Sequence, residues 1–293
     1  MGVTATGGHP TLIVLSDADV VARGVLSRWG DLPTTGEHID GTAVHRLGDE
    51  LWAVRRPGPH LHDDALDRRL PAALRDRRPT LVFPSIHRSE SGQRCFTVHP
   101  LGNPGPRAEL GGRPRTLVPT DPWAMAGLLR ELDQRASSVG LRATYEATHH
   151  GPWLGLPAMF VEVAVTDRQT PTDAELGVLA TALREFRPDP ADRTALAVGG
   201  GHYAPRFTDL ARSRRWAFGH IISRHALADL EPTTAREALE ATPSAAGILF
   251  ARAQDRAHPA FAGTGAEVRE ADAPLRGAMA TTTTSTSPRT SGT

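Results

Sequence analysis

The sequence predicts an α/β fold, and three observations carry the prediction. Thr11-Leu12-Ile13-Val14-Leu15, a short and partly β-branched apolar run, passes at once into Ser16-Asp17-Ala18-Asp19, an N-cap with acids in the first turn. A strand that feeds a helix directly is the opening of an α/β unit. Later apolar runs at Thr80–Phe83, Leu141–Thr148, Met159–Val165 and Thr194–Val198 lead into polar segments, three of them bearing histidine.

The elements follow in order. The first helix is predicted to reach Trp29, and the weak strands Ala43–Leu47 and Leu51–Val54 come next. Asp63 to Arg77 is amphipathic and reads as a helix despite Pro71. Thr80–Phe83 is a strand ending at a loop that carries His87, and Arg94–Val98 is another, ending at His99. Thr120-Asp121-Pro122 is a cap with proline at the first helical position; its helix runs to about Ser138 and stops at Gly140. Leu141–Thr148 is a strand feeding His149-His150-Gly151-Pro152. Thr172 and Glu175 form a capping box opening a helix to Phe186. Two or three helices are expected between Arg206 and Thr242, then a last strand at Ala246–Phe250. Residues 1–10 are expected to be a flexible extension, 11–277 one catalytic domain, and 278–293 a disordered Thr/Ser-rich tail.

Composition narrows the function classes. With 293 residues the chain can bury a large core, and 33 basic against 33 acidic residues give no bulk bias toward nucleic acid or membrane. Every Lys/Arg position is arginine, which rules out Schiff-base and catalytic-lysine chemistry. A lone cysteine, Cys95, excludes internal disulfides and cysteine-based zinc fingers; inside Cys95-Phe96-Thr97-Val98 it reads as a core residue. No apolar run approaches the roughly 20 residues of a membrane span, and Met1–Pro10 lacks the pattern of a signal peptide. A soluble, cytoplasmic monomer is expected.

Histidines carry the functional signal. His87, His99, His149, His150 and His202 all stand just after predicted strands, where ligands bind in open α/β sheets. If extended, the stretch Glu146–His150 puts Glu146, Thr148 and His150 on one face and His149 on the other; if the loop begins at Thr148, both imidazoles face one pocket. Glu162 alternates with Val161 and Val163, so it faces away from them, and a carboxylate so placed needs a histidine or metal partner. Two mechanisms fit. Some of His149, His150, His202 and Glu162 hold a zinc that acidifies water, or a histidine acts as general base to water while a carboxylate orients its ring. Gly199-Gly200-Gly201 can offer backbone N–H groups to an oxyanion or a phosphate. Arg88 and Arg206 lie inside these motifs and suit phosphate recognition.

Five motifs together resemble the D-aminoacyl-tRNA deacylases of the archaeal and plant type. They are Ser85-Ile86-His87-Arg88-Ser89-Glu90-Ser91-Gly92; Thr97-Val98-His99-Pro100 with Gly102-Asn103; Glu146 to Pro152; Phe160-Val161-Glu162; and Gly199 to Thr208. Gly219-His220-Ile221-Ile222-Ser223 and Ser16–Asp19 fit as well, and Ile86 stands where the family pattern has arginine. The resemblance spans Leu12 to Leu249. It implies a three-layer α/β/α core with a mixed, mostly parallel sheet, similar to the phosphorylase and peptidyl-tRNA hydrolase folds. It also implies zinc and hydrolysis of the ester between a D-amino acid and tRNA. His150, Glu162, His202 and Glu146 are then the expected catalytic residues. Contacts to substrate or tRNA are expected from His87, Arg88, Ser89, His99, Asn103, Gly199, Gly200, Gly201, Tyr203 and Arg206. The residues alone also allow a metal-dependent hydrolase of small amides or esters.

Overall fold

A computed structural model of the chain describes residues 10–89, 92–191, 193–264 and 268–270. The expected extension, apart from Pro10, and the expected tail lie outside the described residues. The elements in chain order are β1 (Thr11–Ser16), α1 (Val20–Trp29), β2 (Thr34–Ile39), β3 (Thr42–Arg46), β4 (Leu51–Arg56), α2 (Ala72–Arg75), β5 (Thr80–Arg88) and β6 (Cys95–Pro100). Then come β7 (Gly102–Asn103), β8 (Thr116–Leu117), α3 (Pro122–Ala136), β9 (Ala143–Tyr145), β10 (Ala158–Val165), α4 (Asp173–Glu185) and β11 (Arg193–Val198). The last are α5 (Pro205–Arg212), β12 (Trp216–Ile222), α6 (Arg224–Leu227), α7 (Pro232–Glu240), β13 (Ala245–Phe250) and β14 (Val268–Glu270).

The large sheet runs β2-β3-β4-β1-β5-β10-β6-β9, and a second sheet runs β12-β11-β13-β14. In the large sheet β4, β1, β5 and β10 pair in parallel, as do β6 and β9, while β2–β3, β3–β4 and β10–β6 are antiparallel. All pairs of the second sheet are parallel. The expected α/β architecture with a mixed, mostly parallel sheet flanked by helices is therefore present, with a second sheet added to it.

Helices α1 and α3 pack on one face of the large sheet, α4 packs against both of them, and α3 also packs on β12, which places α3 between the two sheets. Val25, Leu128, Leu132 and Leu179 of these helices share one buried cluster with Val161 and Val163 of β10 and with Phe218 of β12. The caps are those expected. Asp19 and Asp121 accept backbone N–H groups of α1 and α3, and Thr172 with Glu175 closes a capping box on α4.

Three expectations need correction. Asp63–Arg77 is not one helix: 3₁₀ turns at His60–His62 and Leu66–Arg69 precede the short α2, since Pro71 cannot continue a helix begun before it. The helices expected between Arg206 and Thr242 are present as α5, α6 and α7, but the strand β12 (Trp216–Ile222), which was not expected, stands between the first two. The strand expected over Leu141–Thr148 covers only Ala143–Tyr145, so the chain leaves the sheet before the double histidine.

Candidate active site

Alternation along β10 sends Val161 and Val163 toward the helical layer and Phe160 and Glu162 to the opposite face. Register then fixes Glu162's neighbours. Ala164 lies beside His87 on β5, and Phe160 lies beside His99 on β6. His87 and His99 are thus strand residues, not loop residues as the sequence suggested. Strand β5 continues past Pro84 because β1 pairs with it only through Val82, so beyond that point the N–H that proline lacks is not needed for pairing with β1. Asp19 secures the end of β5: its Oδ2 accepts from Ser85 Oγ (2.8 Å) and from the Ile86 N–H (3.0 Å).

The other histidines come from loops. After β9, the Glu146 N–H donates to Val98 O and Glu146 bridges to Tyr203, which brings the 199–203 loop alongside. The Ala147 N–H donates to His202 O (2.8 Å) and the Thr148 N–H to Ile221 O (2.8 Å). A bend at Thr148 starts the loop there, so His149 and His150 both enter the cluster, with ring centroids 4.3 Å apart. Gly151 lets the 104–113 loop pack on this turn; a Cβ there would sit 2.2 Å from Gly112 N. Asn103 Nδ2 holds the same loop by donating to Gly111 O (2.9 Å).

Two buried carboxylates face four imidazoles. Glu162 Oε2 lies 3.4 Å from His87 Nδ1 and 3.6 Å from His99 Nε2. Glu146, fully buried, lies 3.4 Å from His202 Nε2 and 3.8 Å from the Nε2 atoms of both His149 and His87. None of these contacts has the geometry of a hydrogen bond: both Glu146 oxygens, Glu162 Oε2 and His99 Nε2 are buried without a hydrogen-bond partner. Such groups normally have one.

Electrostatics separates the imidazoles. Burial opposes charging of His87 and His99, but Glu162 and Glu146 outweigh it and raise both above the ordinary value. Burial and the neighbouring imidazoles push His149 well below its ordinary value and His150 down to about 3. Burial pushes Glu162 upward, yet His87 and His99 overcome it and hold the carboxyl well below the usual range.

The donor set fits a cation. His149 Nδ1 donates to Ala147 O (2.8 Å) and His150 Nδ1 to Gly151 O (2.7 Å), so each neutral ring keeps a bare Nε2. An Nδ1–H given to a backbone carbonyl is the usual orientation of a metal-ligating histidine. In His149 the bare nitrogen faces a carboxylate oxygen, acceptor against acceptor, which a cation between them would resolve. Ligand atoms of His87, Glu146, His149 and His202 lie within 4.8 Å of one another; so do those of His99, His149 and His150, and those of His99, Glu146 and Glu162.

The expected metal set is thereby regrouped. His149 and His202 come together with His87 and Glu146, whereas Glu162 sits with His99 and Glu146. His99, expected among the substrate contacts, is fully buried, with its Nε2 3.6 Å from Glu162 Oε2. Gly199 is removed from the expected oxyanion donors, since its N–H donates to Ile222 O (2.8 Å). Gly200, Gly201, Tyr203, Ser89 and Arg88 line a cavity of about 700 Å³ beside His87 and His202. Arg88 Nη1 donates to Thr166 O and Gln169 O, and Arg206 Nη1 donates to Ala251 O. Sequence reasoning placed Asp19 only as a helix cap and gave Thr148 and His220 no specific role. Buried His220 receives the Thr148 hydroxyl at Nδ1 (3.1 Å) and donates from Nε2 to Val118 O (3.0 Å), while Thr148 Oγ1 accepts the Ile221 N–H (3.0 Å).

Comparison with known proteins shows the family. A family profile described as D-aminoacyl-tRNA deacylase matches residues 76–261, more than half of the chain, and this range includes every member of the cluster. A D-aminoacyl-tRNA deacylase of Thermoplasma volcanium is 40% identical over 172 residues, covering 58% of this chain and 66% of that protein. One of Methanosarcina mazei is 31% identical over 242 residues, covering 78% and 79%. The crystal structure of a conserved protein of unknown function superposes with a TM-score of 0.74 at 24% identity, over 90% of this chain and 96% of that one, and so shares the fold. Among the described residues no helix is long and apolar enough to cross a membrane. The chain belongs to the D-aminoacyl-tRNA deacylase family, a family of hydrolases.

Proposed function

We infer that the histidine–carboxylate cluster is where this chain hydrolyses the ester between a D-amino acid and tRNA, and that it holds zinc there. The observation that carries the reading is Glu146: a fully buried carboxylate with no hydrogen-bond partner, faced by three imidazole Nε2 atoms. His87, Glu146, His149 and His202 are the residues that would hold the ion. Zinc would supply Lewis acidity toward the ester carbonyl and toward water.

The protein's own groups supply the rest. Hydrolysis joins a water oxygen to the carbonyl carbon, breaks the bond to the ribose oxygen, and delivers a proton to that oxygen. Glu162 faces His87 Nδ1 and His99 Nε2, so its charge favours the protonated form of both strand-borne imidazoles at the floor of the site. His150, with its Nε2 bare and its protonated form disfavoured by burial, can accept a hydrogen bond from water and orient it. His202 is the most exposed imidazole of the cluster and stacks on His87 at 5.0 Å, at the wall of the larger cavity; if it does not ligate the ion, it is the group that can pass a proton to the departing ribose oxygen. The backbone of Gly200 and Gly201 lines the same cavity and supplies candidate donors for the developing oxyanion.

The test is deacylation of D- and L-tyrosyl-tRNA, with chelator and after zinc is restored. D-specific turnover that chelator abolishes and zinc restores is expected. Chelator-insensitive turnover removes the zinc and leaves a histidine base. Absence of turnover on either ester overturns the assignment of the site.

A further inference from the structure

Two cavities border the cluster, each lined by a different set of its histidines. The larger, about 700 Å³, is walled by His87, Arg88, Ser89, Gly200, Tyr203 and Pro205. The smaller, about 300 Å³, is walled by His149, His150, Leu110, Ser223, His225 and Asp229. Both volumes fall within the rough 300–1,000 Å³ of ligand sites. They border the same group of side chains, because nitrogens of His87 and His202 from one wall and of His149 from the other lie within 4.8 Å of one another.

The ester of the reaction inferred above joins two unlike halves, a polyanionic nucleotide and an amino acid. Resting on that reading, we propose that the ester straddles the cluster. The 3′-terminal nucleotide of the tRNA occupies the larger cavity, and the D-amino-acid side chain occupies the smaller one.

Charge sets the direction. Among the described residues the wall of the larger cavity carries Arg88 and no carboxylate, and Arg206 follows directly on Pro205. The smaller cavity carries two carboxylates, Glu109 and Asp229, against one guanidinium, Arg107, so its wall is acidic on balance, which disfavours phosphate and tolerates an amino group. Ring chemistry agrees with charge. The stacked His87–His202 pair, with Tyr203 edge-on to both at 6.2 and 5.6 Å, offers a surface on which a base can stack. On the other side, Leu110 is the exposed large hydrophobic residue of the described chain, at 56% exposure, and it lines the smaller cavity together with Ala226. An apolar side chain at a cavity mouth suits another side chain better than a phosphate.

The experiment compares D-alanyl-tRNA with D-tyrosyl-tRNA on the full chain, using one filling substitution on each side. His225→Trp narrows the smaller cavity from an exposed position. Gly201→Phe narrows the larger one, where a Cβ finds nothing closer than Tyr203 O at 4.0 Å. H225W is expected to raise the ratio of kcat/KM for D-alanyl over D-tyrosyl substrate at least tenfold. G201F is expected to raise KM for both substrates about tenfold, with the ratio unchanged within twofold. Asp229→Trp and Arg88→Gln provide a second pair, with the same split expected. A reversed split, or ratios that move with neither pair, overturns the assignment while leaving the deacylase reading intact. A wild-type chain inactive on both esters overturns the reaction and the assignment together.

Discussion

The two carboxylates of the site are held by different kinds of structure. Glu162 and its partners His87 and His99 stand on three paired strands, and their meeting follows from register: β10 against β5 on one side and against β6 on the other. Glu146 and its partners His149 and His202 stand on loops, fixed by single hydrogen bonds to β6, β7 and β12 and to one another. Strand-borne positions are supported by many ladder bonds and survive the loss of any one. Loop-borne positions depend on a few tethers, so substitutions there are predicted to cost more activity per hydrogen bond removed.

The largest effect is expected where both halves meet. Glu146→Gln keeps the shape and removes the charge that faces His87, His149 and His202. Turnover of D-aminoacyl-tRNA should fall roughly 10²- to 10⁴-fold. Thermal stability should hold or rise, because the amide replaces a buried carboxylate that lacks a hydrogen-bond partner. A coincident loss of melting temperature and activity would make Glu146 structural.

Thr148 is the tether that separates the two halves most clearly. Thr148→Val leaves the Ile221 N–H and His220 Nδ1 without their partner, which costs about 1–3 kcal/mol for each buried group. It also loosens the turn that carries His149 and His150, so activity should drop about 10- to 100-fold, as for groups that orient metal ligands. Acid should act on the same tether. Burial lowers His220 to about 4 from 6.5, so the unfolded chain takes up the proton first. Its contribution to stability is complete above pH 6.5 and is lost as pH falls toward 4, up to roughly 3 kcal/mol. Chemical denaturation at pH 7 and pH 4 should show a smaller acid loss in His220→Gln than in the wild type.

The same contrast explains what the sequence made legible. Glu162 was readable because period-two alternation in an apolar strand fixes its face, and the caps at Asp19, Asp121 and Thr172 were readable because their chemistry is local. Strand β12 was not, because Trp216–Ile222 is buried on both faces and so shows no alternation, and Gly219 weakens any strand signal. The hairpin β2–β3 carried a signal that was overlooked: Asp40-Gly41, both with positive φ, is the preferred two-residue turn. The partnership of Glu146 with His87 joins residues far apart in the chain, and no spacing rule reaches it.

Asp19→Asn tests the strand-borne half. The cap of α1 survives, since Asn is as good an N-cap as Asp, but one side-chain oxygen becomes an amide that cannot accept from Ser85 and Ile86. A stability cost of about 1–3 kcal/mol is expected. Activity should change less than in Thr148→Val, because β5 keeps its pairing with β10 as far as Arg88. Equal losses in the two variants would erase the distinction between ladder and tether.

The smallest effect is expected at Cys95, which shares strand β6 with His99. Its thiol is buried, and burial together with the nearby Glu146 charge pushes its pKa up to about 12, despite a counteracting contact with Tyr203. At pH 8 almost none of it is thiolate, the form that reacts. Iodoacetamide should therefore leave the native enzyme unlabelled and fully active, while the denatured chain takes up one label. Cys95→Ala should turn over substrate within twofold of the wild type, because the ladder bonds of β6 belong to the backbone and hold His99 without the sulfur. A large loss of activity in that variant would show that the strand-borne half depends on its side chains as much as the loop-borne half does.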